Sequence, residues 1–210
     1  MSRLRTLTES VINGDEEAVV KLARQLLAEG IGATEILNEG LIPAMNVVGD
    51  RMKKHEIFLP EVLLSASAMK AGLEVLKPLL TAGGASLGPK IILGTVKGDL
   101  HDIGKNLVGM MLTGAGFQVI DLGIDVPAEK FAEAIREEKP AIVGMSALLT
   151  TTMPEMKTTI DALEAASLRR KVKVIVGGAP VTAEYATRIG ADGYAPNAAL
   201  AVDLVRQLVQ

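Results

Sequence analysis

The chain has no cysteine and no tryptophan, and only two tyrosines and three phenylalanines among its 210 residues. Without cysteine there can be no disulfide, no thiolate metal ligand and no thiol nucleophile, a usage that fits a reducing cytoplasm. With so few aromatics the core must be aliphatic. Val, Ile, Leu, Ala and nine Met supply it, and a hydrophobic content of 49% makes it sizeable. Long apolar runs are missing too: no stretch of about 18 residues suits a membrane span, and the opening MSRLRTLTES has no apolar signal core. Charge of one sign is not in excess. A formal net charge of −3 argues against a nucleic-acid footprint.

The first third of the chain has helical periodicity. Leu4, Leu7, Val11 and Ile12 open with helical spacing. Asp15 is a good N-cap for a second helix with Val19, Val20, Leu22, Ala23, Leu26 and Leu27 on one broad face. A third helix is predicted from Ala33 to Met52, with Ile36, Leu37, Leu41, Ile42, Met45 and Val48 inward. A fourth starts near Leu59-Pro60, where proline is tolerated in a first turn, and carries Val62, Leu63, Ala66, Met69, Leu73, Leu76 and Leu80. Four such helices with short joints make a bundle. Thr81–Pro89, TAGGASLGP, is small, Gly-rich and uncharged, which is linker composition. The expected division is a helical domain at 1–82, a linker at 83–89 and a second domain at 90–210.

From Lys90 strands and helices alternate. Strands are predicted at Ile91–Thr95, Gln118–Leu122, Ala141–Ser146, Lys173–Val176 and Gly193-Tyr194. Helices are predicted from about Gly104 to Ala115, Ala128 to Glu138, Thr152 to Ser167, Ala183 to Ile189 and Asn197 to Leu208. Five such units with apolar strands predict an α/β domain, a doubly wound parallel sheet covered on both faces. Ligands of these sheets bind outside the carboxyl ends of the strands, at the switch point.

The loop GTVKGDLHDIGKN, Gly94–Asn106, leaves the first strand at that end. It holds Asp99, His101 and Gly104 as Asp-x-His-x-x-Gly, and His101 is one of two histidines in the chain. A carboxylate that accepts from one ring nitrogen leaves the other free as a metal ligand. The same residues also fit a solvated loop whose histidine caps the next helix. Two further signals fall at strand ends. Ser146-Ala147-Leu148 follows the third strand and leads into a threonine run, Thr150 to Thr152; Gly177-Gly178 follows the fourth. Small residues at neighbouring strand ends leave a slot, and glycine lets a ligand approach the backbone. Taken alone, Gly177-Gly178 also fits an ordinary strand-to-helix turn.

In this order, Asp-x-His-x-x-Gly, Ser-x-Leu and Gly-Gly resemble the cobalamin-binding fold, over residues 90–210. The stretch AMNVVGDRMKKHEIFLPEV resembles the helical cap of methionine synthase and of the small corrinoid proteins of methyltransferase systems. The resemblance covers nearly the whole chain and leaves no room for a substrate-activating barrel. It implies a flavodoxin- or Rossmann-like cobalamin domain under a helical cap.

It also implies a free-standing methyl carrier with a cobalamin or related corrinoid cofactor. His101 would be the lower cobalt ligand, Asp99 would accept its other ring proton, and Thr152 would stand where methionine synthase has a relay serine. Asp102, Ile103 and Gly104 would border the cofactor's tail. Ser146, Leu148, Thr150, Gly177 and Gly178 would line its nucleotide slot. Met52, Phe58, Leu59 and Met69 would cover the upper face of the cobalt, although methionines at helical spacing also fit plain core packing. His55, in the charged run Arg51–Glu56, reads as a solvated loop residue.

The chemistry so implied is a cobalt cycling between methyl-Co(III) and a nucleophilic Co(I), within a multi-component methyltransferase whose corrinoid subunit turns nothing over alone. The partners would be a donor-specific methyltransferase, an acceptor methyltransferase using a tetrahydrofolate-type pterin or a thiol, and an ATP-dependent reductive activator. The donor, whether a methylamine, methanol, a betaine or a methoxylated aromatic, would be bound by the partner. Two other classes compete. A cobalamin-dependent regulator would normally bring a DNA-binding or signalling segment, and none is visible. A receiver-like signalling domain would need a phospho-acceptor aspartate at the end of the third strand, which instead ends in Met145-Ser146.

Overall fold

The structure is a computed structural model that describes residues 3–82 and 88–210. Most of the predicted linker, residues 83–87, lies outside the described residues. Two compact units emerge. One is helical, reaching to Gly88, with Thr113–Gly116 also assigned to it; the other comprises Pro89–Leu112 and Phe117–Gln210.

In the helical unit, α1 (Arg3–Ile12) packs against α2 (Glu16–Ala28), and α2 against α5 (Leu59–Ala82). Asp15 caps α2 as its sequence predicts: the side chain accepts from the Ala18 amide at 3.0 Å. The single helix expected from Ala33 to Met52 is instead a continuous helical path in three parts. A short α3 (Ala33–Glu35) passes into a π-helical stretch, Ile36–Leu41, and then into α4 (Ile42–Lys53). The Gly40 carbonyl within the π stretch accepts from the Thr8 hydroxyl of α1 at 2.9 Å. On α5, Val62, Ala66, Met69, Leu76 and Leu80 are buried as expected, but Leu63 is 39% exposed. That helix carries apolar residues on most of its sides, so periodicity alone does not choose its inner face.

The second unit is a five-stranded, all-parallel sheet: β1 (Lys90–Thr95), β2 (Gln118–Asp121), β3 (Ile142–Ser146), β4 (Lys173–Gly177) and β5 (Gly193–Tyr194), in the order β2-β1-β3-β4-β5. The helices are α6 (Ile103–Gly114), α7 (Ala128–Glu138), α8 (Pro154–Ala165), α9 (Ala183–Ile189) and α10 (Ala198–Leu208). Residues alternate between the faces of each strand. Ile92, Val143, Met145, Val174 and Val176 therefore share a core with Phe131 and Ile135 of α7, Met156, Ile160 and Leu163 of α8, and Ile189 of α9.

Two features of the sheet place the site. The chain runs from β1 outward to β2, then returns past β1 to β3, so the switch point lies between β1 and β3. The register also sets Thr95, Ser146 and Gly177 side by side at the carboxyl ends of three adjacent strands. The loops leaving β1 and β3 border the switch point from its two sides.

Candidate functional site

The β1–α6 loop begins with a tight turn. The Asp99 amide donates to the Val96 carbonyl at 3.1 Å, and Gly98 between them has φ +79°, a left-handed backbone that glycine adopts without cost. The turn sends the Asp99 side chain inward, where it is fully buried.

A buried carboxylate needs donors, and Asp99 has them on both oxygens. Oδ1 accepts from the His101 backbone amide at 3.1 Å and lies 2.7 Å from His101 Nδ1. Oδ2 accepts from the Leu148 amide at 2.7 Å, the Leu149 amide at 3.3 Å and the Thr152 hydroxyl at 2.7 Å. Thr152 Oγ1 is also 3.0 Å from the Leu149 carbonyl; its one proton goes to the charged acceptor. Burial pushes the Asp99 pKa up. The Thr152 hydroxyl, the Leu148 amide and the two His101 donors outweigh it and hold the carboxyl well below the ordinary carboxylate range.

Asp99 is therefore ionised and can only accept, so the proton between it and His101 belongs to Nδ1. In the neutral ring Nε2 is then the nitrogen with a lone pair. Nε2 has no protein partner among the described residues, and the histidine side chain is 50% exposed. The ring does not cap α6: Asp102 occupies the position before that helix, and its carboxylate accepts from the Asn106 side chain at 2.9 Å. Ile103 and Gly104, in the first turn, are exposed.

The residues predicted to line the slot lie at the same edge of the sheet. Ser146 Oγ is 3.1 Å from the Thr95 hydroxyl, which donates to the His101 carbonyl at 2.9 Å. Leu148 contributes its backbone amide to Asp99 while its side chain is exposed; Thr150 is exposed beside it. Gly178 has φ +131°, and a Cβ there would stand 1.9 Å from the Ala147 carbonyl oxygen. The ends of β3 and β4 thus meet backbone to backbone, and only a residue without a side chain fits at Gly178. In the helical unit Phe58 and Leu59 are exposed and Met52 is half-buried, whereas Met69 is buried and offers no surface to a ligand. His55 is exposed in a turn at φ +59°, in keeping with a solvated loop residue.

Three contributors were not legible as site residues. Thr95 gives no motif signal. Lys105 is buried, with Nζ 2.7 and 2.6 Å from the two carboxylate oxygens of Asp121. Asp125, after β2, is tied to the backbone of Gly98 and Asp99.

The arrangement fits a macrocyclic metal cofactor. An imidazole nitrogen with its tautomer fixed projects at the switch point, and the loops beside it carry exposed Leu100, Ile103, Leu148 and Leu149. Large apolar side chains left exposed around one polar group mark a binding surface.

Comparison with known proteins agrees. B12 binding domain families match residues 3–77 and 89–203. A corrinoid protein of Desulfitobacterium hafniense is 45% identical, over 100% of this chain and 98% of its own length. Dimethylamine corrinoid protein 1 of Methanosarcina acetivorans is 43% identical, over 98% and 97%. Among solved structures, a cobalamin-binding protein from Desulfitobacterium hafniense superposes with a TM-score of 0.80 at 35% identity, covering 99% of this chain and 98% of that one. A chain of the methanol:cobalamin methyltransferase complex from Methanosarcina barkeri superposes with a TM-score of 0.88 at 31% identity, covering 99% and 79%.

Fold and site together define a cobalamin-binding protein, with a helical region ahead of a parallel α/β domain. More closely, the chain belongs to the corrinoid proteins of methyltransferase systems, and its cofactor is a corrinoid.

Proposed function

We propose that the protein is a methyl carrier that turns nothing over alone. A corrinoid held by the site residues would supply a cobalt centre able to carry a methyl group between a donor-side and an acceptor-side partner. The observation that carries this reading is the Asp99–His101 pair, 2.7 Å apart, with Nε2 at the switch point and without a partner among the described residues. In it His101 Nε2 would ligate the cobalt. Asp99 fixes the tautomer and strengthens the ligand, and Thr152 holds Asp99. Ser146, Leu148, Thr150, Gly177 and Gly178 line the slot for the nucleotide tail, with Asp102, Ile103 and Gly104 along its edge. Leu100, Ile103 and Leu149 exclude water from the lower face. Phe58 and Leu59, with Met52, are the candidates for covering the upper face.

The division into a helical cap at 1–82, a linker at 83–89 and a cobalamin-binding domain at 90–210 belongs to the same reading. So does a cytoplasmic location; among the described residues no helix is long and apolar enough to cross a membrane. The partners are a donor methyltransferase, an acceptor methyltransferase using a pterin or a thiol, and an ATP-dependent reductive activator. The names of the relatives favour a methylamine or methanol as donor.

Reconstitution of the full chain with cobalamin tests the proposal. It should bind one corrinoid per chain and transfer no methyl group alone; with its cobalt reduced to Co(I) by an added chemical reductant and a donor methyltransferase present, it should take up the donor's methyl group. A folded chain that takes up no corrinoid, or that demethylates a donor unaided, would contradict it.

A further inference from the structure

The β2–α7 loop, Leu122 to Pro127, is bonded on every side. Asp121, just before it, receives the buried Lys105 ammonium on both oxygens and the Gly123 amide at 2.9 Å. The Leu122 amide donates to the Leu93 carbonyl at 2.8 Å, and the Gly123 carbonyl accepts from the Thr95 amide at 3.0 Å. The Val126 amide donates to the Thr95 carbonyl at 2.9 Å. A segment so anchored to β1 and α6 is a rigid support rather than a free loop.

Asp125 stands on that support and grips the histidine loop twice. Its amide donates to the Asp99 carbonyl at 3.0 Å, and its Oδ1 accepts from the Gly98 amide at 2.6 Å. Asp125 itself is left-handed, φ +52°, which short polar residues tolerate better than most. That conformation lets amide and carboxylate face the same neighbouring turn. With the Asp99 amide held by Val96, both backbone groups of Asp99 are fixed, so the aim of its carboxylate is set from behind.

We propose that Asp125 is a positioning residue for the metal-ligating histidine, acting through the Gly98–Asp99 backbone. The inference rests on the reading of His101 as the cobalt ligand. Without the grip, the Val96–Asp99 turn rocks, Asp99 loses its fixed approach to His101 Nδ1, and Nε2 is no longer delivered in one orientation. Changes one layer behind a metal ligand cost about 10–100-fold in metal affinity or activity. A group one layer further back belongs at the lower end, about tenfold in the ratio of histidine-ligated to unligated cobalt.

Asp125→Gly tests this, since glycine keeps the left-handed backbone and removes only the side-chain acceptor. In the apoprotein, amide hydrogen exchange should quicken at Gly98, and also at His101 and Leu148, whose amides donate to Asp99. In the holoprotein, the nitrogen splitting in the electron paramagnetic resonance spectrum of reduced, paramagnetic cobalt should fall in intensity by about tenfold relative to the unligated signal. Asp125→Asn, which keeps an acceptor and the left-handed preference, should restore both readouts. Asp125→Ser, too short to reach the Gly98 amide, makes the same comparison should the glycine variant not fold. Faster exchange at Gly98 alone, with His101, Leu148 and the cobalt spectrum unchanged, would make Asp125 a local staple and overturn the proposal. Wild-type holoprotein made with nitrogen-15 histidine is the separate control: if its nitrogen splitting stays a triplet, the ligand reading fails, whatever Asp125 does.

Discussion

Thr152 and His101 bind opposite oxygens of one carboxylate. The Thr152 hydroxyl donates to Asp99 Oδ2 at 2.7 Å, and His101 Nδ1 lies 2.7 Å from Asp99 Oδ1. Three side chains from the loops after β1 and β3 thus form one line across the switch point, with the histidine at its exposed end. Losing the threonine hydroxyl should be felt at the histidine. Thr152→Val keeps the shape and removes the donor; hydrogen bonds to charged groups are worth about 1.5–3 kcal/mol, so a loss of that size is expected. Thr152→Ser keeps the donor and should cost far less. Denaturant unfolding of the two apoproteins checks this, and equal stabilities would show that the hydroxyl does not support Asp99.

Stability below neutral pH should carry the signature of Asp99. Its folded pKa is depressed, because its donors outweigh its burial. A depressed carboxylate contributes stability that is complete above its unfolded pKa of about 3.9 and is lost as pH falls toward the folded value. Wild-type apoprotein should therefore weaken more steeply below about pH 4 than Asp99→Asn, which has no charge to lose there. Parallel stability curves for the two proteins would remove Asp99 as the titrating group.

Gly178 should be the less replaceable of the two glycines after β4. A Cβ at Gly178 would collide with the Ala147 carbonyl at 1.9 Å, and φ there is +131°; at Gly177 the nearest atom would be the Ala195 carbonyl oxygen at 3.3 Å. Overpacking of this kind costs about 1–3 kcal/mol, so Gly178→Ala should lose that much stability, and corrinoid with it, as the β3 and β4 ends are forced apart. Gly177→Ala should be milder on both counts. Thermal unfolding and corrinoid uptake measured side by side check the order.

Much of this was legible in the sequence because the signals were local. The apolar strands, the helix from Ala128 to Glu138 and the short Ala183–Ile189 helix follow from apolar runs and their spacing; the two helices have the predicted bounds and the strands agree to within one residue. The Asp99–His101 pair was legible because its two residues are neighbours in the chain. The π stretch at Ile36–Leu41 was not, since one widened turn leaves the apolar spacing almost unchanged. The sequence presents Leu148 as a slot-lining side chain; the structure adds a backbone amide on Asp99, a role that any residue but proline could fill. Asp125 and Lys105 carry no sequence signal for a different reason. Their partners become neighbours only once β2 is known to lie beside β1, and no short-range pattern carries the strand order.

Changing Asp99 should weaken the ligand without removing it. Asp99→Asn keeps the shape but offers His101 Nδ1–H a neutral acceptor in place of a charged one. A loss of about 10–100-fold in the strength of cobalt ligation is expected, read as a cobalt absorption spectrum that becomes more sensitive to pH. A spectrum as pH-insensitive as that of wild type would separate Asp99 from the metal.

The most direct test of the central claim asks whether the nitrogen on the cobalt comes from this chain. The protein has two histidines, and His55 is an exposed turn residue. Holoprotein made with nitrogen-15 histidine and unlabelled corrinoid is reduced to its paramagnetic cobalt state, and its electron paramagnetic resonance spectrum is recorded. If His101 Nε2 is the lower ligand, the nitrogen splitting changes from the triplet of nitrogen-14 to the doublet of nitrogen-15, and His101→Ala abolishes it. An unchanged triplet in the labelled protein would place the cofactor's own base on the cobalt and contradict the account.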